Sequence, residues 1–269
     1  MTLVPFAPYR PDRAALNSAY ATRVENALPS PDGYIPFSGY APFTQATSDP
    51  VNGGYTAIDS NVAVHIFAGT DKELLKLDTT DNSWDDVSQT ATTYGANELA
   101  KWWFDQFGNY VIAGNINGSP QVFQLGTSTE FADLGGNPPN ADGSAVCGDH
   151  LFLHAGATVY WSDTDDITEW ATGNAGSQTF PDGGEVMGLT SVTNPWIIQR
   201  DAIRRATFMP GSLDVFSFQK VHDKIGAASR KSVCSRGDIA FFAGYGAFYQ
   251  LNSDGSLLPI GDEKLDREI

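Results

Sequence analysis

Cysteine, methionine and histidine are scarce in this chain: two, three and four of each among 269 residues. Two cysteines cannot make a disulfide-stapled fold, and no C-x-x-C or H-x-x-x-H spacing provides a zinc site. No run approaches 18 consecutive apolar residues, which excludes a membrane-spanning helix. The opening "MTLVPFAPYRPDR" lacks the apolar core of a secretory signal, so synthesis and assembly in the cytosol are expected. There is no P-loop, no G-x-S-x-G elbow and no cofactor-binding motif. A binding or structural protein without catalytic residues, cofactor or metal is therefore expected. Two alternatives stand beside it: a glycan-cleaving enzyme built on two carboxylates, with 32 acidic residues offering too many pairs to choose between, and a scaffold that binds a protein partner.

Basic residues are also few. Sixteen Lys and Arg stand against 32 Asp and Glu, a net charge of −16. That balance excludes tight binding of nucleic acid through its phosphates. It suits either an acidic soluble protein or one past which nucleic acid slides without adhering. Charged residues reach only 18% of the chain, poor material for long solvated helices, whereas 27 Gly, 15 Pro and 12% aromatics suit short strands joined by turns.

An internal repeat organises what is there. "NVAVHIFAG", "NYVIAG", "HLFLHAG" and "DIAFFAG" each run from a turn residue through an apolar stretch to a glycine, at Gly69, Gly114, Gly156 and Gly244. The intervals are 45, 42 and 88, so a unit without its glycine is predicted near 200, where "NPWIIQRDA" stands. Second strands follow in "ELLKLD", "PQVFQLG", "TVYWSD", "IRRATFM" and "GAFYQLN", and third strands in "SWDDVS", "EFADLG", "TEWA", "DVFSFQKV" and "SLLPIG". A further strand precedes the apolar run, as in "KWWFDQF" and "GSAVCGD". Four strands in about 44 residues is the period of a β-propeller blade. Blades stack through both faces, which removes strict polar–apolar alternation. The fold class expected is all-β, a β-propeller of about five four-stranded blades over 54–261, with an extended N-terminal arm over 1–53 and a short charged tail over 262–269. The arm is rich in Pro, Ala, Ser and Tyr, with a short helix expected near 12–28 and a part that can supply a ring-closing strand.

Cys147 and Cys234 fall at equivalent places in blades two apart and read as two free, buried thiols. His65 and His154 are likewise equivalent and read as core or channel-lining residues. "DTTDNSWDD" and "SDTDDITEW" lack the Gly and terminal Glu of a calcium loop and read as Asx-stabilised turns. Arg200, Arg204 and Arg205, followed by Lys220, Lys224, Arg230 and Lys231, form the one basic cluster. Edge-strand charges that discourage aggregation and a subunit interface facing an acidic neighbour both account for it. With Phe6, Tyr9 and Arg10 of the arm, Arg200, Arg204 and Arg205 are the candidate subunit-contact residues.

The phrases "ENALPSPDGYIPFSGY", "FAGTDKELLKL", "WFDQFGNYVIAGN", "WSDTDDITEW", "DGGEVMGL", "IIQRDAIRRATFMPG", "FQKVHDKIGAASRKSV" and "IGDEKLDREI" resemble, in that order, the head-to-tail connector or tail-hub proteins of short-tailed bacteriophages, which stabilise packaged DNA. The resemblance runs from about residue 24 onward. It implies a virion protein that forms a homo-oligomeric ring, usually a hexamer, below the portal and adaptor proteins. Such a ring plugs the DNA exit channel, carries distal tail proteins and lets viral DNA pass an acidic wall without specific binding. It implies no catalytic residues. Members of that family continue past the "IGDEKLDR" phrase into a further β-rich region, whereas this chain stops two residues later.

Overall fold

A computed structural model describes residues 8–10, 16, 19–30, 33–90 and 92–261. A hairpin in the arm comes first, β1 (Ala27–Ser30) and β2 (Gly33–Pro36). Twenty strands follow in five antiparallel sheets of four, each sheet made of consecutive strands. The first blade is β3 (Gly53–Ile58), β4 (Val64–Gly69), β5 (Leu74–Leu77) and β6 (Trp84–Asp86). The second is β7 (Trp103–Phe107), β8 (Tyr110–Gly114), β9 (Gln121–Gln124) and β10 (Ala132–Asp133). The third holds β11 (Gly143–Cys147), β12 (His150–Ala155), β13 (Thr158–Trp161) and β14 (Gly176–Thr179). The fourth holds β15 (Val186–Leu189), β16 (Trp196–Gln199), β17 (Ala202–Phe208) and β18 (Phe216–Asp223). The fifth holds β19 (Cys234–Arg236), β20 (Ile239–Ala243), β21 (Phe248–Leu251) and β22 (Leu257–Pro259). The β-propeller read from the 44-residue beat is the fold.

Apolar residues on both faces of a blade make sense only if neighbouring blades cover them, and the four apolar cores lie between consecutive blades. Phe67 and Leu74 of the first blade meet Val111, Phe123 and Phe131 of the second. Trp103 and Ile112 of the second meet Leu151 and Leu153 of the third. Phe152 and Trp161 of the third meet Ile197 and Phe216 of the fourth. Ile198 and Ile203 of the fourth meet Ala240 and Phe242 of the fifth. Fully burying one such side chain contributes about 1.5–3 kcal/mol. Indole N–H groups add polar stitches across the junctions: Trp102 to the Thr70 carbonyl at 2.7 Å, Trp103 to Ala141 at 2.9 Å and Trp196 to Asp238 at 3.1 Å.

The repeated glycines have a steric cause at two positions. A Cβ on Gly69 would lie 2.3 Å from the Trp102 ring, and one on Gly114 would lie 2.3 Å from the Trp103 ring. Gly156 serves differently: it sits in the turn after β12 at φ 53°, a backbone region that L-residues with a Cβ rarely adopt.

Three expectations change. The outer strand of the third blade is Gly176–Thr179, not "TEWA". Thr168, Glu169 and Trp170 instead form a turn, where the Glu169 carboxylate accepts from the backbone N–H of Ala171 and Thr172. The arm supplies no strand to a blade among the described residues. β1 and β2 pair only with each other, and residues 45–52 run along the first blade, with Gln45 N–H to the Asn82 carbonyl at 2.8 Å. The helix expected near 12–28 lies partly outside the described residues, and 19–28 contains none. The tail at 262–269 lies outside the described residues.

Candidate functional site

The first strands of the blades sit innermost: β3 contacts β7, β7 contacts β11, and β11 contacts β15. Residues just before these strands therefore converge on the propeller axis. Lys101 precedes β7 by two positions, Asp142 and Glu185 precede β11 and β15 by one, and Arg230 and Lys231 lie in a single 3-10 turn (Arg230–Ser232) before β19. Together with Arg200, from the β16–β17 turn, they line a cleft of about 400 Å³ whose apolar wall includes Leu99, Ile116 and Met187. A smaller recess of about 180 Å³ continues beside it, lined by Ser144, His154, Arg230 and Val233 among others.

Charge pairing in the cleft is incomplete. Arg230 donates to Asp142 and Glu185, each at 3.2 Å, and Arg200 shares Glu185 at 2.9 Å. The Arg230 Nε is buried with no partner. Lys231 donates to the Trp102 backbone carbonyl at 3.2 Å. Among the described residues neither Lys231 nor Lys101 has a carboxylate within ion-pair distance. Burial, and then repulsion from Lys101, lowers the Lys231 pKa. His154 is buried with its Nδ1 unbonded. Burial first, and Arg230 and Lys231 second, push its pKa down to about 3, so the ring is neutral at physiological pH. On the neighbouring innermost strand Asp105 is raised to about 6, chiefly by burial, and accepts from the Ser144 hydroxyl at 3.3 Å.

The basic cluster of the sequence disperses in space. Arg204 is 5% exposed, bonded to Gln199 at 2.9 Å and to Asp182, with its guanidinium 4.7 Å from the Phe180 ring centroid. Arg205 makes a two-point pair with Asp238 at 2.6 and 3.0 Å and lies 4.3 Å over Trp196, tying the fourth blade to the fifth. Both act as internal clamps. Arg200 is half-exposed and belongs to the axial cleft. Tyr9 is exposed and bridges to Ala21, Arg10 stacks over Tyr20 at 5.0 Å, and Phe6 lies outside the described residues.

Cys147 is buried, with its thiol pKa pushed well up by burial, but Cys234 is exposed. The two occupy the first strands of the third and fifth blades as the repeat requires; only the third has a further blade covering that position. His65 bonds Asp59 at 3.2 Å, which leaves His154 as the buried member of that pair. The acidic turns hold their own backbone: Asp78 accepts from Thr80 N–H at 2.7 Å, and Asp163 from the N–H groups of Thr164 and Asn174, each at 2.8 Å.

Sequence reasoning missed Lys101, Asp142 and Glu185. The signal was present in the repeat: each stands just before an innermost strand, and Lys101 is the single basic residue between Lys76 and Arg200.

No protein-family model matches the chain, and no curated protein matches it in sequence. Among solved structures it is similar to the extracellular domain of a one-component system from B. thetaiotaomicron, at TM-score 0.52 and 16% identity. That match covers 80% of this chain and 28% of the other, so the chain spans under a third of its length. BamB from Moraxella catarrhalis is matched at TM-score 0.49 and 13% identity, over 81% of this chain and 64% of that one. At 16% identity the likeness to the first concerns the fold alone. No described helix is long and apolar enough to cross a membrane.

Proposed function

We propose that the protein is a structural subunit of a bacteriophage head-to-tail connector or tail hub, assembling with copies of itself into a ring at the DNA exit channel. The observation that carries this reading is the ordered set of phrases resembling that family, which spans the arm and all five blades from about residue 24 onward. Physical chemistry supports it. Four stacked apolar cores make a stiff body suited to a part under load. A net charge of −16 disfavours adhesion of DNA phosphates. The arm, with exposed Tyr9, Tyr40 and Phe43, carries aromatic groups of the kind that anchor subunit contacts.

Electron microscopy and sedimentation of the purified protein, alone and with portal and adaptor proteins, test the proposal. Rings with an acidic lumen that add to the portal–adaptor complex are expected. A monomer that releases sugars from a bacterial glycan overturns it. A second reading, a propeller scaffold that binds a protein partner, draws on one specific observation, the incompletely paired charges of the axial cleft.

A further inference from the structure

We infer that the axial cleft is a binding site for a single carboxylate group presented by an acidic protein segment. The inference deepens the scaffold reading and holds whether or not the protein forms a ring. Four cations, Lys101, Arg200, Arg230 and Lys231, are gathered there from the second, fourth and fifth blades, against three carboxylates, Glu98, Asp142 and Glu185. On a chain of net charge −16 this concentration is built by the fold, since the contributing loops are separated by tens of residues.

The pairing pattern selects the ligand. Asp142 and Glu185 satisfy much of Arg230 and Arg200, while Lys101 and Lys231 face the cleft without a counter-ion among the described residues. A carboxylate brought between these two ammonium groups supplies the counter-ion that neither has within ion-pair distance. The surplus is one formal positive charge, so a monoanion balances the cleft. A phosphate dianion would overshoot and meet repulsion from Glu98, Asp142 and Glu185. The wall adds a preference for protein over a free acid: Leu99 is 93% exposed at the lip, and Ile116 and Met187 line the cleft. A Glu or Asp flanked by apolar side chains matches both features.

The test is a titration of the full-length, 15N-labelled protein at low ionic strength, followed by NMR, with four probes. These are N-acetyl-Leu-Glu-Leu-amide, its Gln twin, acetate and inorganic phosphate. Saturable shifts confined to residues 98–101, 142 and 228–231 are expected with the Glu peptide and, at higher concentration, with acetate. Binding of the Gln twin should be about tenfold weaker, the effect of losing one charge-assisted contact. Lys101→Gln, at an exposed position that leaves the fold intact, should weaken the Glu peptide severalfold, and Lys101→Gln with Lys231→Gln should abolish saturation. Equal binding of Glu and Gln peptides, phosphate binding tighter than the peptide, or no saturable shift from peptide or acetate would each overturn the assignment. Acetate binding as tightly as the peptide assigns the site to small free acids and removes the protein partner. None of these outcomes depends on ring formation, so failure here is distinguishable from failure of the connector reading.

Discussion

At the rim of the third blade Asp166 accepts from Thr168 N–H and Oγ–H at 2.8 and 2.7 Å, and Glu169 bonds two N–H groups of its own turn. On the axis Asp142 and Glu185 bond Arg230, which lies 88 and 45 positions away. The rim carboxylates are stabilised by donors within a few residues, Asp166 by the Thr168 hydroxyl and then its N–H, Glu169 by the N–H groups of Ala171 and Thr172, and their pKa values fall for that reason. The axial ones depend on several blades being in place. Charges at the rim are therefore local and cheap to change. Charges and aromatics at the axis are coupled to blade stacking, and that difference sets where substitutions should hurt and where ligands should act.

The largest effect is expected at Trp102, buried beside the axis against Gly53 and Gly69 and bonded to Thr70. Trp102→Ala should cost about 3–5 kcal/mol, read as a shifted urea midpoint. Trp170, half-buried in a rim turn, serves as the contrast, and an equal loss from Trp170→Ala would erase the distinction between axis and rim.

Next come two axial groups that titrate in opposite senses. Asp105 has its pKa raised to about 6, so the folded state holds a proton that the unfolded state releases between about pH 4 and 6. Its contribution to stability is lost as pH rises through 6. Asp105→Asn should stabilise the protein by about 2 kcal/mol at pH 7.5, and the gain should vanish near pH 4. His154, held down to about 3, must stay neutral in the folded state while the unfolded chain takes up a proton below about 6.5. Stability from this group falls with pH across that window, and His154→Gln should flatten the acid limb of the melting profile. Parallel pH profiles for wild type and both variants would show that neither group is desolvated on the axis.

Thiol reactivity gives a sharper contrast without mutation. Ellman's reagent should modify Cys234 in the native protein, whereas Cys147 should react only after unfolding, because burial suppresses its thiolate. Two equally fast thiols would place Cys147 outside the junction between the third and fourth blades. The smallest effect is expected at the rim: Asp166→Ala should change stability by no more than about 0.5 kcal/mol.

Much of this architecture was legible in the residues. The Ala-Gly beat located β4, β8, β12 and β20, and the interval of 88 located β16 where the glycine is missing. The Asx turns were legible because an Asp followed two residues later by Thr or Ser bonds the backbone locally. "TEWA" was misread because its aromatic and β-branched residues suit a strand, while Asp163, Asp166 and Glu169 close a turn first. The placement of the basic cluster was not legible for a different reason. Residues close in sequence on β16, β17 and the loop before β19 point to different places: Arg204 into the blade, Arg205 between blades and Arg230 to the axis.

What the sequence determined by itself was the unit: four short strands per 44 residues, apolar on both faces, with a recurring glycine as its beat. Periodicity acts over a few residues and can be read without knowing the neighbours, whereas the indoles that require Gly69 and Gly114 emerge only in the fold. What only the tertiary structure decided was the axial cleft and the fate of each buried group. Lys101, Asp142, Glu185 and Lys231 meet because each precedes an innermost strand of a different blade. Desolvation depends on what covers a group, and that cover comes from blades remote in the chain.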